Sequence, residues 1–237
     1  DIDGLVTYTM DSSDELELQR CLGIPLLRWT GRAPFGGMGC CASVQIAAAA
    51  VGAGFADAVI VYRALNGRSG RRYGTPESSQ AVGSGGQLHY AMGFDTGAKS
   101  YAAEVQDYLR RYDVSSEDLG RYVAATRALA ATNPRAMYYN KPLSLEEHQS
   151  SRWIVEPWLR RFDCCLESDG GAALLVMSED AARKLDKREV RIAAAAQVHG
   201  MGRRIAYDVY RSHAEIAAEK QALVAELVRQ AGLHPRD

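Results

Sequence analysis

Several features that would point to a particular class of protein are missing from this chain of 237 residues. Its five histidines form neither an H-E-x-x-H motif nor another close ligand pair, so the sequence predicts no protein-bound metal. A formal net charge of −1, without a basic run, argues against nucleic acid and an anionic membrane surface as partners. No C-x-x-C spacing occurs among the five cysteines, and their odd number is typical of a reduced, cytoplasmic protein.

Strongly apolar runs are missing as well. The longest uncharged segment, Ala33 to Ala56, contains five glycines, Pro34, Ser43 and Gln45. A membrane span needs about 20 strongly apolar residues, so the sequence predicts no span. The chain also opens without a methionine or a targeting segment, and it stops just after a predicted helix. We therefore expect a fragment of a longer protein.

The same uncharged segment holds the most informative pattern in the chain. Residues 36–62 join a glycine-rich turn, a helix of small side chains and a β-branched strand. Between Met38 and Ala53, 11 of 16 residues are Gly, Ala, Ser or Cys, whereas a surface helix would show a polar face. This pattern predicts a buried helix whose N-terminal N–H groups face a ligand that develops negative charge. The substrate-binding residues predicted at this turn are Gly36, Gly37, Met38 and Gly39.

The glycines of this turn also mimic a dinucleotide-binding fingerprint, because residues 37–42 fit G-x-G-x-x-A. That fingerprint directly follows a strand and places its acidic residue at the end of the next strand. Here Pro34 and Phe35 intervene, and Asp57 opens the next strand instead. The spacing therefore argues against a dinucleotide site.

Apolar strands and helices alternate along the rest of the chain, which predicts an α/β protein with a largely parallel sheet. Buried strands are predicted at 5–9, 57–63, 171–177 and 190–198, and helices at 97–111, 116–131 and 213–231. Capping-box patterns, Ser115-x-x-Asp118 and Ser144-x-x-Glu147, begin the helix at 116 and a further short helix. Residues 64–93 are rich in Gly, Ser and Arg and are predicted to form a long loop that carries function.

Three segments together resemble the thiolase superfamily. They are residues 36–62; Asn133-Pro134-x-Ala136 with Ser144-Leu145-Glu146-Glu147 and Ser151-Arg152-x-Ile154; and residues 163–173, D-C-C-L-E-S-D-G-G-A-A. The last two resemble sterol-carrier-protein-x thiolases and lipid-transfer-protein-like relatives. The resemblance implies the layered αβαβα fold, with an N-terminal core at 1–63, a loop domain at 64–162, a return to the core at 163–185 and the start of the C-terminal half at 186–237.

The chain departs from the family pattern at the nucleophile. Family thiolases carry a reactive Cys at the N-terminus of the small-residue helix, where the helix dipole lowers its pKa. When the chain is aligned on residues 54–57, G-F-A-D, Gly37 takes that position. Cys40 and Cys41 then lie one turn further in and are expected to face helix packing as small buried groups. A slip of three residues would instead make Cys40 the nucleophile, and this alternative stays open.

The loss of a nucleophile fits one reaction better than another. Thiolysis and Claisen condensation hold an acyl group on a thiolate, whereas retro-aldol cleavage of a β-hydroxyacyl-CoA needs only a base and donors for the enolate. With the opening residues 1–9, D-I-D-G-L-V-T-Y-T, the chain is similar to lipid-transfer-protein-like aldolases that cut the side chain of steroid CoA esters. Thiolase-type acyl transfer and non-catalytic carriage of lipid or acyl-CoA are the alternatives.

This resemblance also implies partners and cofactors. Such aldolases are homodimers that depend on an OB-fold, zinc-ribbon acyl-CoA-binding protein; their substrate is a CoA thioester, and no cofactor is bound covalently. We expect the homodimer interface to include strand 57–63, which family members pair as an edge across the two-fold axis.

The catalytic acid and base are less well defined by the sequence. Tyr207 and His199 are candidates for these roles, and His89 and Tyr210 for contact with the substrate. Aromatic packing and loop packing are the alternatives for these side chains. The family's catalytic His and C-terminal Cys-x-Gly would lie beyond Asp237.

Overall fold

The described part of the chain forms two compact units. A computed structural model describes residues 1–8, 13–34, 39–70, 72, 91–185, 188, 190–201 and 211–234. The first unit contains residues 1–66 and 168–237, and the second contains residues 67–167. In chain order the elements are β1 (Gly4–Tyr8), α1 (Glu15–Leu22), β2 (Trp29–Ala33), α2 (Cys40–Gly52), β3 (Ala58–Asn66), α3 (Gly97–Tyr112), α4 (Ser116–Thr132), α5 (Leu145–Ser150), β4 (Trp153–Val155), β5 (Leu159–Arg160), β6 (Asp169–Met177), α6 (Glu179–Arg183) and α7 (His213–Ala231).

The first unit is built on a four-stranded sheet with the order β2-β1-β3-β6. Strand β1 pairs in parallel with both β2 and β3, and β6 pairs antiparallel with β3 over its whole length. The prediction of an α/β protein with a largely parallel sheet is therefore confirmed. The expectation that strand 57–63 is an edge is wrong, because β3 has a hydrogen-bonded neighbour on each side.

Helix α2 packs its small side chains onto this sheet. Ala42, Ser43, Ala47 and Ala50 are buried, and Ala47 joins Val6, Ala56, Val59 and Val61 in one apolar cluster. Small residues let the helix backbone approach the strands closely. The opposite side of the helix, including Ala49, is exposed. The composition of the helix predicts burial on all sides, and in this chain only the side that faces the sheet is buried.

Two of the predicted buried strands differ from expectation. Strand β6 forms, but most of its length is exposed because it is an edge of the described sheet. Residues 190–200 form no strand. There the backbone groups of Ala195 bind side chains instead of a neighbouring strand: its C=O accepts from Gln45 Nε2 at 2.9 Å, and its N–H donates to Gln230 Oε1 at 3.1 Å.

The second unit contains helices α3, α4 and α5 and the β4–β5 hairpin. Both predicted capping boxes are present, at Ser115 and at Ser144. His148 of α5 is fully buried, and its Nε2 donates to the Asp163 carboxylate at 2.8 Å. Gly120 of α4 lets the two helices meet, because a Cβ there would lie 2.7 Å from His148 Nδ1. The contact between α4 and α5 therefore centres on the buried His148.

One carboxylate joins the starts of the three parallel strands in the first unit. Asp3 accepts from the backbone N–H groups of Asp57 and Ala58 and from Arg28 Nη1, at 2.9–3.0 Å. Burial raises the pKa of Asp3, but the two backbone donors and the Arg28 guanidinium outweigh it, so the pKa lies below its ordinary value. The ionised form therefore stabilises the sheet.

We expect Asp3→Asn to lower the free energy of unfolding by about 1–3 kcal/mol, because an amide cannot satisfy all of these donors. Asp57→Asn is the control: it removes the other carboxylate bound to Arg28, but Asp57 is 80% exposed, so a change within about 0.5 kcal/mol is expected. Urea unfolding measures both changes.

The same pair of proteins gives a pH test. Because the pKa of Asp3 is lower in the folded state, its contribution is complete above the unfolded pKa of about 4 and is lost as the pH falls through the folded value. The stability difference between wild type and Asp3→Asn should therefore shrink below about pH 4. A difference that stays constant down to pH 2 would contradict this assignment.

Candidate functional site

The N-terminus of α2 lies at the carboxyl ends of β1 and β2. Gly39 is the N-cap of the helix and is buried. A Cβ on Gly39 would lie 2.5 Å from the Pro34 carbonyl oxygen, 3.2 Å from Tyr8 Cβ and 3.4 Å from Ala33 Cβ. Glycine is therefore required for the helix to begin here. Parallel α/β sheets bind ligands beyond the carboxyl ends of their strands. The backbone N–H groups at the start of α2 have no side-chain cap, and such groups can bind an anion.

The first turn of α2 carries two thiols. Cys40 and Cys41 are both exposed, with their sulfurs 3.9 Å apart. The expectation that they face helix packing is therefore wrong: the buried face of the helix begins at Ala42. A hydrogen bond with the Cys40 thiol, the charge of Cys40 and desolvation together raise the pKa of Cys41 above its ordinary value. This environment does not activate Cys41 as a thiolate nucleophile.

Two residues beside this helix start were missed by the sequence analysis. Tyr8, the last residue of β1, is in contact range of Gly39, and the Arg63 guanidinium of β3 lies 5.1 Å from the centre of the Tyr8 ring. The positions of these two residues in the sequence could have indicated them. Both residues lie toward the carboxyl ends of predicted parallel strands, and those ends meet at one edge of the sheet. The Arg63 cation therefore lies beside the Tyr8 ring at this end of the sheet.

Of the residues predicted to bind substrate or to act as acid or base, the structure describes only two. Gly39 lies at the start of α2, where its backbone packs against the Pro34 carbonyl. His199 is exposed in the irregular segment 190–201. Outside the described residues lie Gly36, Gly37, Met38, His89, Tyr207 and Tyr210.

No helix within the described ranges is long and apolar enough to cross a membrane. The same part of the chain holds no cluster of three or more His, Cys, Asp or Glu side chains arranged for a metal ion.

No family model matches the chain, but individual relatives match it along its whole length. A steroid side-chain-cleaving aldolase from Thermomonospora curvata is 42% identical over 242 residues. A 17-hydroxy-3-oxo-4-pregnene-20-carboxyl-CoA lyase from Mycobacterium tuberculosis is 40% identical over 242 residues. The chain spans 62% of the length of each of these curated relatives.

Solved structures give the same result for the fold. The chain resembles the Ltp2-ChsH2(DUF35) aldolase with a TM-score of 0.82 and 41% identity, over 98% of this chain and 59% of that one. It also resembles a monomeric SCP2-thiolase like protein type 1 from Mycobacterium smegmatis, with a TM-score of 0.60, over 100% of this chain and 49% of that one. At 21% identity, this second likeness concerns the fold alone.

The predicted thiolase-like fold is therefore confirmed. The chain is similar over its whole length to proteins named as a steroid side-chain-cleaving aldolase and a steroid CoA lyase, as the sequence motifs predict.

The close approach at Gly39 can be tested with a pair of alanine substitutions. Gly39→Ala should lower the free energy of unfolding by about 1–3 kcal/mol, because the new methyl group meets a backbone oxygen that cannot move away. Gly52→Ala, at the other end of α2, has no described atom within 4 Å of the new carbon and should stabilise the helix by about 0.5–1 kcal/mol. Thermal unfolding of both variants measures this contrast. A stable Gly39→Ala protein would mean that the helix begins elsewhere.

Proposed function

We propose that the full-length protein is a thiolase-fold lyase. It cleaves a β-hydroxyacyl-CoA, a steroid side-chain CoA ester, to a ketone and a shorter acyl-CoA by retro-aldol chemistry. The observation that carries this proposal is the match of the whole chain, at 40% identity or more, to two proteins named for such cleavage.

The start of α2 supports the chemistry. In the reaction a base removes the proton of the β-hydroxyl, the oxygen forms the ketone, and the Cα–Cβ electrons pass into the thioester as an enolate that is then protonated at Cα. Fixed N–H donors that face the thioester oxygen stabilise the charge that develops there. The amides of the first turn of α2, beside Tyr8 and Arg63, are suited to this role.

No step of this reaction needs a covalent acyl-enzyme. The alignment on residues 54–57 gives Gly37 the position where thiolases carry their nucleophile, and we propose that the lack of a side chain there makes room for a bulky acyl group. Residues 36–39, with His89 and Tyr210, are the proposed substrate-binding groups. Tyr207 and His199 are the proposed acid and base in this chain, and further catalytic residues are expected beyond Asp237. The CoA thioester is the substrate, and no covalently bound cofactor is required.

The proposed assembly is a homodimer that works with an OB-fold, zinc-ribbon acyl-CoA-binding partner. The name of the similar aldolase structure, Ltp2-ChsH2(DUF35), supports a DUF35-type partner. Because β3 is paired on both sides, we propose that a dimer contact uses an edge of the described sheet, β2 or β6, instead of β3. A reducing, cytoplasmic location agrees with all five cysteines being free.

One observation favours a second candidate, thiolase-type acyl transfer through Cys40. Cys40 is the first residue of α2, and it is exposed, as a nucleophile at a helix N-terminus would be. The two candidates differ in whether the thiols of the first turn are needed.

A product assay on the full-length protein with its partner separates the candidates. With 17-hydroxy-3-oxo-4-pregnene-20-carboxyl-CoA as substrate, we expect a 17-oxo steroid and a short acyl-CoA without added CoA. Cys40→Ala and Cys41→Ala should each keep kcat within about twofold and stability within about 0.5 kcal/mol, since both thiols are exposed. A loss of about a thousandfold in a folded Cys40→Ala protein would instead support covalent catalysis. If the protein binds the CoA ester but forms no product, non-catalytic carriage of acyl-CoA is the alternative that remains.

A further inference from the structure

The first turn of α2 presents two neighbouring thiols that the proposed cleavage reaction does not use. Cys40 and Cys41 are both exposed, and their sulfurs lie 3.9 Å apart, close enough to share a hydrogen bond. The buried face of the helix begins only at the next residue, Ala42. The two thiols therefore form an exposed dithiol at the start of the helix.

A disulfide between these two residues does not fit an intact helical turn. An S–S bond is about 2.05 Å long, so the two sulfurs would have to lose nearly half of their separation. The Cα atoms of consecutive residues lie about 3.8 Å apart, below the range of about 4.4–6.8 Å that is usual for disulfides. The bond would therefore close a ring around the Cys40–Cys41 peptide and draw this peptide out of helical geometry. Exposed and strained disulfides of this kind are readily reduced again.

The backbone on both sides of the dithiol is held in place. Before it, Gly39 packs against the Pro34 carbonyl oxygen without room for a side chain. After it, Ala42 and Ser43 are buried, and Ser43 Oγ donates to the Cys40 C=O at 2.6 Å. A change at the dithiol is therefore confined to the first turn of α2, whose amides are the proposed donors to the thioester enolate.

We propose that Cys40 and Cys41 are a redox modification site. A hydroperoxide converts the dithiol into a disulfide between the two neighbouring residues, which opens the first turn of α2 and stops cleavage until a thiol reduces the bond. The effect on cleavage rests on the proposed function, whereas the formation of the disulfide does not.

The oxidation moves two electrons from the sulfurs to the O–O bond. The Cys40 thiolate attacks one oxygen of the hydroperoxide, the O–O bond breaks, and Cys40 becomes a sulfenic acid while the alkoxide takes up the proton that Cys40 released. The Cys41 sulfur then attacks the Cys40 sulfur, and the hydroxide that leaves takes the Cys41 proton and becomes water. Cys40 reacts first because its hydrogen bond and its charge raise the pKa of Cys41. Two thiols and one hydroperoxide thus give one disulfide, one alcohol and one water.

The test uses the full-length protein with its partner, treated with hydrogen peroxide and then with N-ethylmaleimide to block the remaining thiols. Trypsin cuts after Arg32 and Arg63 and releases peptide 33–63, which contains Cys40 and Cys41 and no other cysteine. The readouts are the mass of this peptide, amide hydrogen exchange of residues 40–44, and kcat for 17-hydroxy-3-oxo-4-pregnene-20-carboxyl-CoA. Each is measured before and after reduction with dithiothreitol.

Three variants separate the dithiol from other thiols. Cys40→Ala and Cys41→Ala each keep one thiol of the pair and cannot form the bond. The matched control is Cys21→Ala, which removes another exposed thiol, on α1 beside Glu17 and Arg20, and leaves the dithiol intact.

We expect the same response to peroxide in wild type and in Cys21→Ala. Peptide 33–63 should become two hydrogen atoms lighter and take up no N-ethylmaleimide, and amide exchange of residues 40–44 should become faster. The value of kcat should fall about 100-fold, because the loss of one donor to a developing oxyanion costs about 100–1,000-fold in rate. Dithiothreitol should reverse all three changes. Cys40→Ala and Cys41→Ala should keep their kcat and their exchange rates after the same treatment.

The proposal is overturned if peptide 33–63 takes up two N-ethylmaleimide groups after peroxide, or if its thiols end as sulfinic acids that dithiothreitol does not reduce. A disulfide that leaves the exchange of residues 40–44 unchanged would also contradict it, as would an equal loss of kcat in Cys40→Ala and Cys41→Ala. A wild-type protein that does not cleave the substrate before oxidation would contradict the proposed function. The peptide mass and the exchange would then still decide whether the dithiol opens the first turn.

Discussion

The site depends on one close approach between backbones, where α2 begins against the carboxyl ends of two parallel strands. Gly39 has no room for a side chain beside the Pro34 carbonyl, and Gly31 on β2 likewise leaves space for Ile46, whose Cγ2 would lie 2.9 Å from an added Cβ. The alanines further along the helix extend this close packing over the sheet. Because the helix can come this near, its first amides lie at the strand ends, where a ligand can reach them.

This geometry separates two reactions that share a fold. Acyl transfer needs a thiolate that holds the acyl group, whereas retro-aldol cleavage needs only donors for an enolate and groups that move protons. The described residues offer the donors at the start of α2, beside Tyr8, whose ring contacts the cation of Arg63. Cys40 raises the pKa of Cys41, which is the opposite of what a thiolate nucleophile at Cys41 needs.

Patterns within one segment were sufficient to predict most elements of this fold. The small-residue helix, β3, the helices α3, α4 and α7 and both capping boxes follow from local periodicity and capping chemistry. Contacts between distant segments were not predictable in this way. Residues 190–198 look like a buried strand, but their backbone is held by Gln45 and Gln230, and the short, mixed segment Trp29–Ala33 becomes a strand only because β1 lies beside it. The exposure of Cys40 and the contact of Glu219 with Gly200 also depend on tertiary packing.

The central claim is that carbon–carbon cleavage proceeds here without a covalent acyl-enzyme. Intact-protein mass spectrometry tests it most directly: the full-length protein and its partner are mixed with the steroid CoA ester and quenched during turnover. The account predicts the unmodified protein mass at every time point while the short acyl-CoA accumulates. An acyl adduct that forms and decays during turnover, and that maps to Cys40 or Cys41, would contradict it.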